Sequence, residues 1–175
     1  SAQYYLGEMY GAGIGVAQNV NEAERWTRLA AENDDAKAQY SLGLMYEDGR
    51  GVQQDFSHAI KWHRLAAKQG SMIAQNHLGS MYAFGDSVQQ SYTEASKWYL
   101  LAAGQGYIAA QNFMGLRYRN GEGVVQNFKS ALKWYRLAAD QGDAEAQYAL
   151  GEMYQLGEGV EVDLKAALRW YRSSA

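Results

Sequence analysis

The sequence contains no cysteine and no proline among its 175 residues. Without cysteine, the chain has neither a disulfide framework nor a cysteine-ligated zinc site, although both reducing and oxidising compartments tolerate such chains. Without proline, nothing in the sequence forces a kink in a helix. No apolar run approaches the roughly 20 residues of a membrane-spanning helix, so we expect no membrane insertion.

A strong excess of one charge is also absent. The 16 Lys and Arg residues face 19 Asp and Glu residues, which gives a net charge of −3 at pH 7 with the two signs interspersed. A protein that neutralises phosphates needs clustered Lys and Arg side chains. The richest basic segment, 117–136, spreads over two predicted helices. We therefore expect no nucleic-acid partner.

The sequence consists of five copies of a 36-residue repeat, without insertion or deletion. The five tryptophans keep this period and are Trp26, Trp62, Trp98, Trp134 and Trp170. The repeat defines one domain, 1–175, with units 2–37, 38–73, 74–109, 110–145 and 146–175. Periods of this length are typical of solenoids, in which each unit packs mainly on its neighbours.

Each unit predicts two helices. Apolar or small residues recur at unit positions 1, 5, 8 and 9, which in the second unit are Ala38, Leu42, Met45 and Tyr46. This spacing predicts a first helix. A Gly-x-Gly-Val loop ends it, and the second helix begins after an N-cap residue such as Asp55 and closes at a glycine such as Gly70. No useful stretch alternates with period two, so we predict no strand.

Two local features of the sequence predict details of the structure: a loop that differs in one repeat, and a glycine within each first helix. The third unit has Asp86 and Ser87 where the second has Arg50 and Gly51, and we expect a local change of loop path there. A glycine also recurs in the middle of every first helix, where it costs about 1 kcal/mol of helix propensity against alanine. Its recurrence predicts a close approach of two helices.

The repeat pattern A-Q-x-x-L-G-x-M-Y-x-x-G-x-G-V, followed by A-x-x-W-Y-x-x-A-A-x-x-G, resembles the Sel1-like repeat family, which is related to the tetratricopeptide repeat. The resemblance covers the whole chain. The departures from the pattern are Asn76 and Asn112 in place of Tyr, Arg117 in place of Met, Asp34 in place of Gly, and Ser173-Ser174 in place of Leu-Ala.

The resemblance implies an all-α fold, a right-handed α/α superhelix (solenoid) of antiparallel helix pairs. It also implies work as a scaffold or adaptor that assembles protein complexes. Members of the family occur in bacterial envelope, secretion and host-interaction proteins, which favours a periplasmic or secreted bacterial protein. The residues themselves leave the compartment open.

A candidate binding surface follows from comparing the copies with one another. Unit positions 3, 7, 10 and 11 lie on the side of the first helix opposite the constant positions, and they differ between copies; we call this side the variable face. Constant residues pack against neighbours, while variable residues are free to meet a ligand, here a protein or peptide. The resemblance implies that the first helices line the concave side of the superhelix, so we expect the partner on that concave face. Aromatic residues and Arg are enriched at interface hot spots. The candidate partner-binding residues are Tyr40, Leu44, Phe84, Leu116, Arg119 and Tyr148.

An alternative ligand is a glycan or a peptidoglycan fragment. The amide and aromatic side chains that favour this hypothesis are Asn76, Asn112, Tyr40 and Tyr148. The sequence leaves both ligand classes open.

We expect no catalytic residues, no cofactor and no metal site. Serines and carboxylates recur without the arrangement that catalysis requires. His63 occupies the position of Tyr99 and Tyr135 in later copies, which favours packing. His58 lies five residues before His63, on a different helix face, and His77 belongs to another helix.

The ends of the chain lead to a further expectation. Terminal repeats of solenoids normally carry polar caps. The first unit instead begins with Tyr4, Tyr5 and Leu6, and the last unit stops within its second helix. We expect either end-to-end self-association or a longer parent chain, of which this sequence is a fragment.

Overall fold

The computed structural model describes residues 1–175 and contains ten α-helices and no strand. The helices are α1 Ala2–Ala12, α2 Val20–Glu32, α3 Ala36–Asp48, α4 Phe56–Lys68, α5 Met72–Phe84, α6 Tyr92–Gly104, α7 Ile108–Asn120, α8 Phe128–Ala139, α9 Ala144–Leu156 and α10 Leu164–Ser174. The predicted all-α class, with a first and a second helix in each repeat, is confirmed. No helix combines the length and the apolar character of a transmembrane span.

The chain divides into two compact units, Ser1–Leu78 and Gly79–Ala175, and the division falls within α5. In the first unit, α1 packs on α2, α2 on α3, and α3 on α4. In the second unit, each helix from α6 to α10 packs on the next, and α7 also contacts α9. Each helix therefore buries its apolar face mainly against its neighbours in the chain.

Side-chain caps set the beginning of every second helix. An Asn, Asp or Ser residue accepts hydrogen bonds from backbone N–H groups of the first turn, as the sequence predicts. These caps are Asn19, Asp55, Ser91, Asn127 and Asp163. The N–H groups of a first turn have no acceptor within their own helix, and the cap side chains supply one.

The loop of the third repeat does not change path, so this expectation is wrong. Gly85 and Ser87 have φ angles of 77° and 63°, close to the 68° and 73° of Gly49 and Gly51. Ser87 thus adopts the left-handed region, which costs a residue with a Cβ roughly 1–2 kcal/mol. The packing of the repeat outweighs the local preference of serine.

The glutamine at unit position 2 joins each repeat to the preceding one. Its side-chain amide donates to a carbonyl in the last turn of the preceding second helix, at 2.9–3.3 Å. The pairs are Gln39 with Ala31, Gln75 with Ala67, Gln111 with Ala103, and Gln147 with Ala139. Each of these carbonyls also accepts a backbone N–H from the residue three positions later, so the glutamine adds a second donor from the next repeat.

The glycine in the middle of each first helix allows a side chain of the second helix to lie directly on its backbone. A Cβ added to Gly115 would lie 2.6 Å from Cδ1 of the buried Tyr135 ring. The corresponding pairs are Gly7 with Thr27, Gly43 with His63, Gly79 with Tyr99, and Gly151 with Tyr171. The predicted close approach of helices is confirmed, and His63 takes the packing position expected for it.

We predict that Gly115→Ala destabilises the protein by about 1 kcal/mol, the packing cost minus the gain in helix propensity. Displacing the Tyr135 ring costs about 1–3 kcal/mol, which exceeds the roughly 1 kcal/mol that alanine gains in helix propensity. Urea unfolding of both proteins, followed by circular dichroism, measures the difference.

Gly104→Ala is the matched control. Gly104 is the last residue of α6, and an added Cβ there would meet no atom within 4 Å. We expect this variant to be as stable as the parent protein or up to about 1 kcal/mol more stable. Equal effects of the two substitutions would contradict the close-approach account.

Candidate partner-binding face

Most residues of the variable face are exposed or half-buried, while unit positions 1, 5 and 8 are buried in the second to fifth repeats. In α3 the constant residues Ala38 and Leu42 have no exposed surface. On the variable face, Phe84 and Tyr148 are 62% and 53% exposed. Ala83 is the exception, since it is buried in the core of the second unit. Four of the six candidates, Tyr40, Leu44, Leu116 and Arg119, are half-buried.

A cavity of ≈220 Å³ opens on the variable face of the second unit. Its floor is Tyr135 of α8, the ring that lies on Gly115. Its other lining residues come from α7 and α9 and are Asn112, Phe113, Leu116, Arg119, Glu145, Ala149 and Glu152. The structure thus brings two predicted residues, Leu116 and Arg119, into one site.

Charged groups surround this cavity. Arg119 donates from Nη1 to Glu152 at 2.8 Å and from Nε to Glu158 at 2.7 Å. Burial disfavours the charged form of Arg119, but these two hydrogen bonds outweigh it and raise its pKa. Asn112 donates to Glu145 at 2.9 Å. One guanidinium and two carboxylates therefore line the cavity, and the excess charge is negative.

The equivalent place between α1 and α3 in the first unit is a larger cavity of ≈370 Å³. Thr27 takes the position that Tyr135 has in the second unit, and Gly11 takes that of Arg119. These smaller side chains leave more space. The predicted residue Leu44 lines this cavity together with Glu8.

Tyr40 of α3 contacts a cluster of ionisable side chains. Its ring centroid lies 5.2 Å from that of His63 and 5.8 Å from that of His77. His77 Nε2 lies 3.0 Å from both oxygens of Glu47. Burial opposes ionisation of Glu47, yet its interactions with the two histidines lower its pKa to about 2. Burial lowers the pKa of His63.

The remaining two predicted residues line neither cavity. Phe84 is the exposed last residue of α5. The Tyr148 ring packs against that of Tyr171 at 5.4 Å, and the Tyr171 hydroxyl donates to Gln155. The six candidates therefore do not form one site: Tyr40 and Leu44 belong to the first unit, and only Leu116 and Arg119 share a cavity.

Six other lining residues were not among the candidates: Asn112, Phe113, Tyr135, Glu145, Ala149 and Glu152. A signal was available in the opposite charges of two adjacent copies. The fourth copy carries Arg119 on its variable face, and the fifth copy carries Glu152 at the position that Leu116 has in the fourth. Adjacent first helices face each other, so an acid there can meet Arg119.

The Sel1 repeat family model matches the chain in five segments, residues 1–35, 36–71, 73–107, 108–143 and 144–175. No curated protein matches the sequence. The match over the whole chain agrees with the resemblance carried by its glycine, glutamine and tryptophan positions.

Two solved bacterial structures are similar over 99% of this chain, each at 39% identity and a TM-score of 0.93. One is a Sel1 repeat protein from Oxalobacter formigenes, of which the chain covers 71%. The other is a protective antigen present in uropathogenic Escherichia coli strains, of which it covers 37%. Helicobacter pylori cysteine rich protein B is more distant, at 22% identity and a TM-score of 0.56 over 74% of this chain and 92% of that one, and shares the fold alone.

We predict a loss of stability between pH 10 and about 12 that depends on Tyr135. Burial raises the pKa of Tyr135 from 10.0 to about 12. In this pH range the unfolded chain releases the phenolic proton while the folded protein retains it. Folding stability therefore falls as the pH rises, by at most about 3 kcal/mol. Urea unfolding across this pH range measures the loss.

Tyr135→Phe is the control, because it keeps the ring on Gly115 and removes the titrating group. We expect the variant to lose less stability than the parent protein over this range. Burial also raises the pKa of Tyr99, so part of the loss remains. An identical loss in both proteins would contradict the burial of the Tyr135 hydroxyl.

Proposed function

The chain belongs to the Sel1 repeat family, whose members generally serve as protein-interaction scaffolds, and we propose that it is a non-enzymatic scaffold that binds a segment of another protein on its variable face. The observation that carries the proposal is the cavity between α7 and α9, where variable residues surround Tyr135. Asn112, Leu116 and Arg119 stand at unit positions that differ between copies, so repeat packing does not fix their identity.

The size and lining of the cavity favour a single side chain of a peptide as its occupant. Its ≈220 Å³ lies below the roughly 300–1,000 Å³ of small-molecule pockets. Phe113, Leu116, Tyr135 and Ala149 provide an apolar surface for an aliphatic or aromatic anchor. A buried anchor surrounded by polar groups is the usual arrangement of an interface hot spot.

The charges at the rim favour a basic residue next to the anchor. Glu152 is already paired with Arg119, whereas Glu145 is exposed and contacts the neutral amide of Asn112. Glu145 therefore keeps a net negative charge that a Lys or Arg of the partner can approach. Such rim pairs contribute more to specificity and association rate than to affinity.

Glycan or peptidoglycan binding is the alternative function. Two of the residues that favour this hypothesis already have partners within the protein. Asn112 donates a hydrogen bond to Glu145, and the Tyr148 ring packs on Tyr171. Calorimetric titration with muropeptides separates the alternatives. Saturable binding of a muropeptide, lost in Leu116→Ser, would favour the glycan hypothesis.

We expect peptides selected from a random displayed library to share an apolar residue beside a Lys or Arg. A selected peptide should bind Leu116→Ser at least about 10-fold more weakly, because the anchor loses its apolar contact. Glu145→Gln should weaken binding less and reduce its salt dependence. Fluorescence anisotropy at two salt concentrations measures both effects.

Leu137→Ser is the matched control, because Leu137 is a 40% exposed leucine of the second helix α8 and lies outside the cavity lining. Circular dichroism should show equal folding of all variants. Unchanged affinity in Leu116→Ser, or an equal loss in Leu137→Ser, would show that the peptide binds elsewhere.

A further inference from the structure

Three ligating side chains from three successive helices meet in the first unit: Glu47 of α3, His63 of α4 and His77 of α5. One ligating atom from each lies within 4.8 Å of the others. His77 Nε2 is 3.0 Å from Glu47 Oε1, and His63 Nε2 is 3.4 Å from the same oxygen. Two ligands bound to one tetrahedral zinc ion at about 2.0–2.2 Å lie roughly 3.3–3.6 Å apart. The two contacts of Glu47 are therefore close to the ligand spacing of such an ion, and all three ligating atoms lie within 4.8 Å of one another.

His63 is a buried imidazole without a hydrogen-bond partner. Its side chain has no exposed surface, and neither Nδ1 nor Nε2 makes a hydrogen bond within the protein. Its Nε2 lies 3.4 Å from Glu47 Oε1, which is the distance of an ion pair. Buried polar atoms without partners are costly and rare in native proteins. The Nε2 atom faces the Glu47 carboxylate, so a ligand held between them would satisfy it.

Repeat packing does not require these residue types. The equivalent three positions hold Gly11, Thr27 and Ser41 in the first copy. They hold Ala83, Tyr99 and Phe113 in the third copy, and Arg119, Tyr135 and Ala149 in the fourth. Tyr99 and Phe113 stack with their centroids 4.8 Å apart. Only in the second copy do all three positions carry a side chain that readily ligates a transition metal. The histidine that packs on Gly43 could have been a tyrosine, as in later copies.

We propose that Glu47, His63 and His77 together bind one divalent transition-metal ion of the imidazole-binding class, for which Zn²⁺ is the probe. Two imidazole nitrogens and one carboxylate form a known three-ligand zinc set that leaves a fourth position open. His63 forms the closed inner side of the site, because its ring lies on Gly43. His77 is 28% exposed, so the ion enters from its side. The Tyr40 ring borders both histidines.

The test is binding of Zn²⁺ to the full chain at neutral pH, measured by calorimetry and by competition with a chromophoric chelator. We expect one ion per chain and a rise in melting temperature with Zn²⁺. Co²⁺ should give the visible absorption of a four-coordinate site. His77→Phe and Glu47→Ala, which introduce the residues of the third copy, should each weaken binding by at least about 10-fold.

His58→Ala is the matched control, because His58 is an exposed histidine that pairs with Asp55 outside the cluster. It should leave the affinity and the Co²⁺ spectrum unchanged. His63→Tyr should abolish binding and keep the helical circular dichroism, since tyrosine occupies this position in later copies. The proposal is overturned if Zn²⁺ does not bind below roughly 100 µM. It is also overturned if binding persists in His77→Phe or is lost in His58→Ala.

Discussion

The contact between a glycine of the first helix and a side chain of the second helix determines the geometry of every repeat. In the fourth repeat, Tyr135 lies directly on Gly115, and any Cβ there would overlap the ring. The contact brings the two helix axes together and makes the second-helix side chain the floor between consecutive first helices. Variable neighbours then decide what lies above that floor: an ionic cavity around Arg119, or an aromatic stack of Tyr99 with Phe113.

Most of the fold could be predicted from the sequence because its determinants are local. Helix starts follow from capping residues such as Asp55, and helix ends from glycines such as Gly49, each of which is next in sequence to the helix that it limits. The loop at Ser87 could not be predicted, because serine alone disfavours the left-handed region. The packing of the repeat holds it there at a φ of 63°. The role of the recurring glutamine was also hidden, since Gln111 bonds to Ala103 in another helix.

The candidate site was only partly predictable. The comparison of copies identified the accessible face and placed Leu116 and Arg119 on it, but it could not pair Arg119 with Glu152 of a different helix. The histidine cluster was missed for the same reason. Within its own helix, neither His63 nor His77 has a second ligand at metal-binding spacing, so the sequence predicts no metal site. The structure brings the two histidines together with Glu47. Comparing unit positions across adjacent repeats, rather than spacings within a helix, is the signal that finds such clusters.

The central claim is that constant positions maintain the fold and variable positions bind a partner. Saturation substitution of α7 and α9, scored in parallel for folding and for binding of a selected peptide, tests it most directly. We expect substitutions at constant positions such as Met114 and Leu150, which are fully buried, to reduce folding. Those around Leu116 should reduce binding and leave folding intact. Binding losses that occur only together with folding losses would contradict the account.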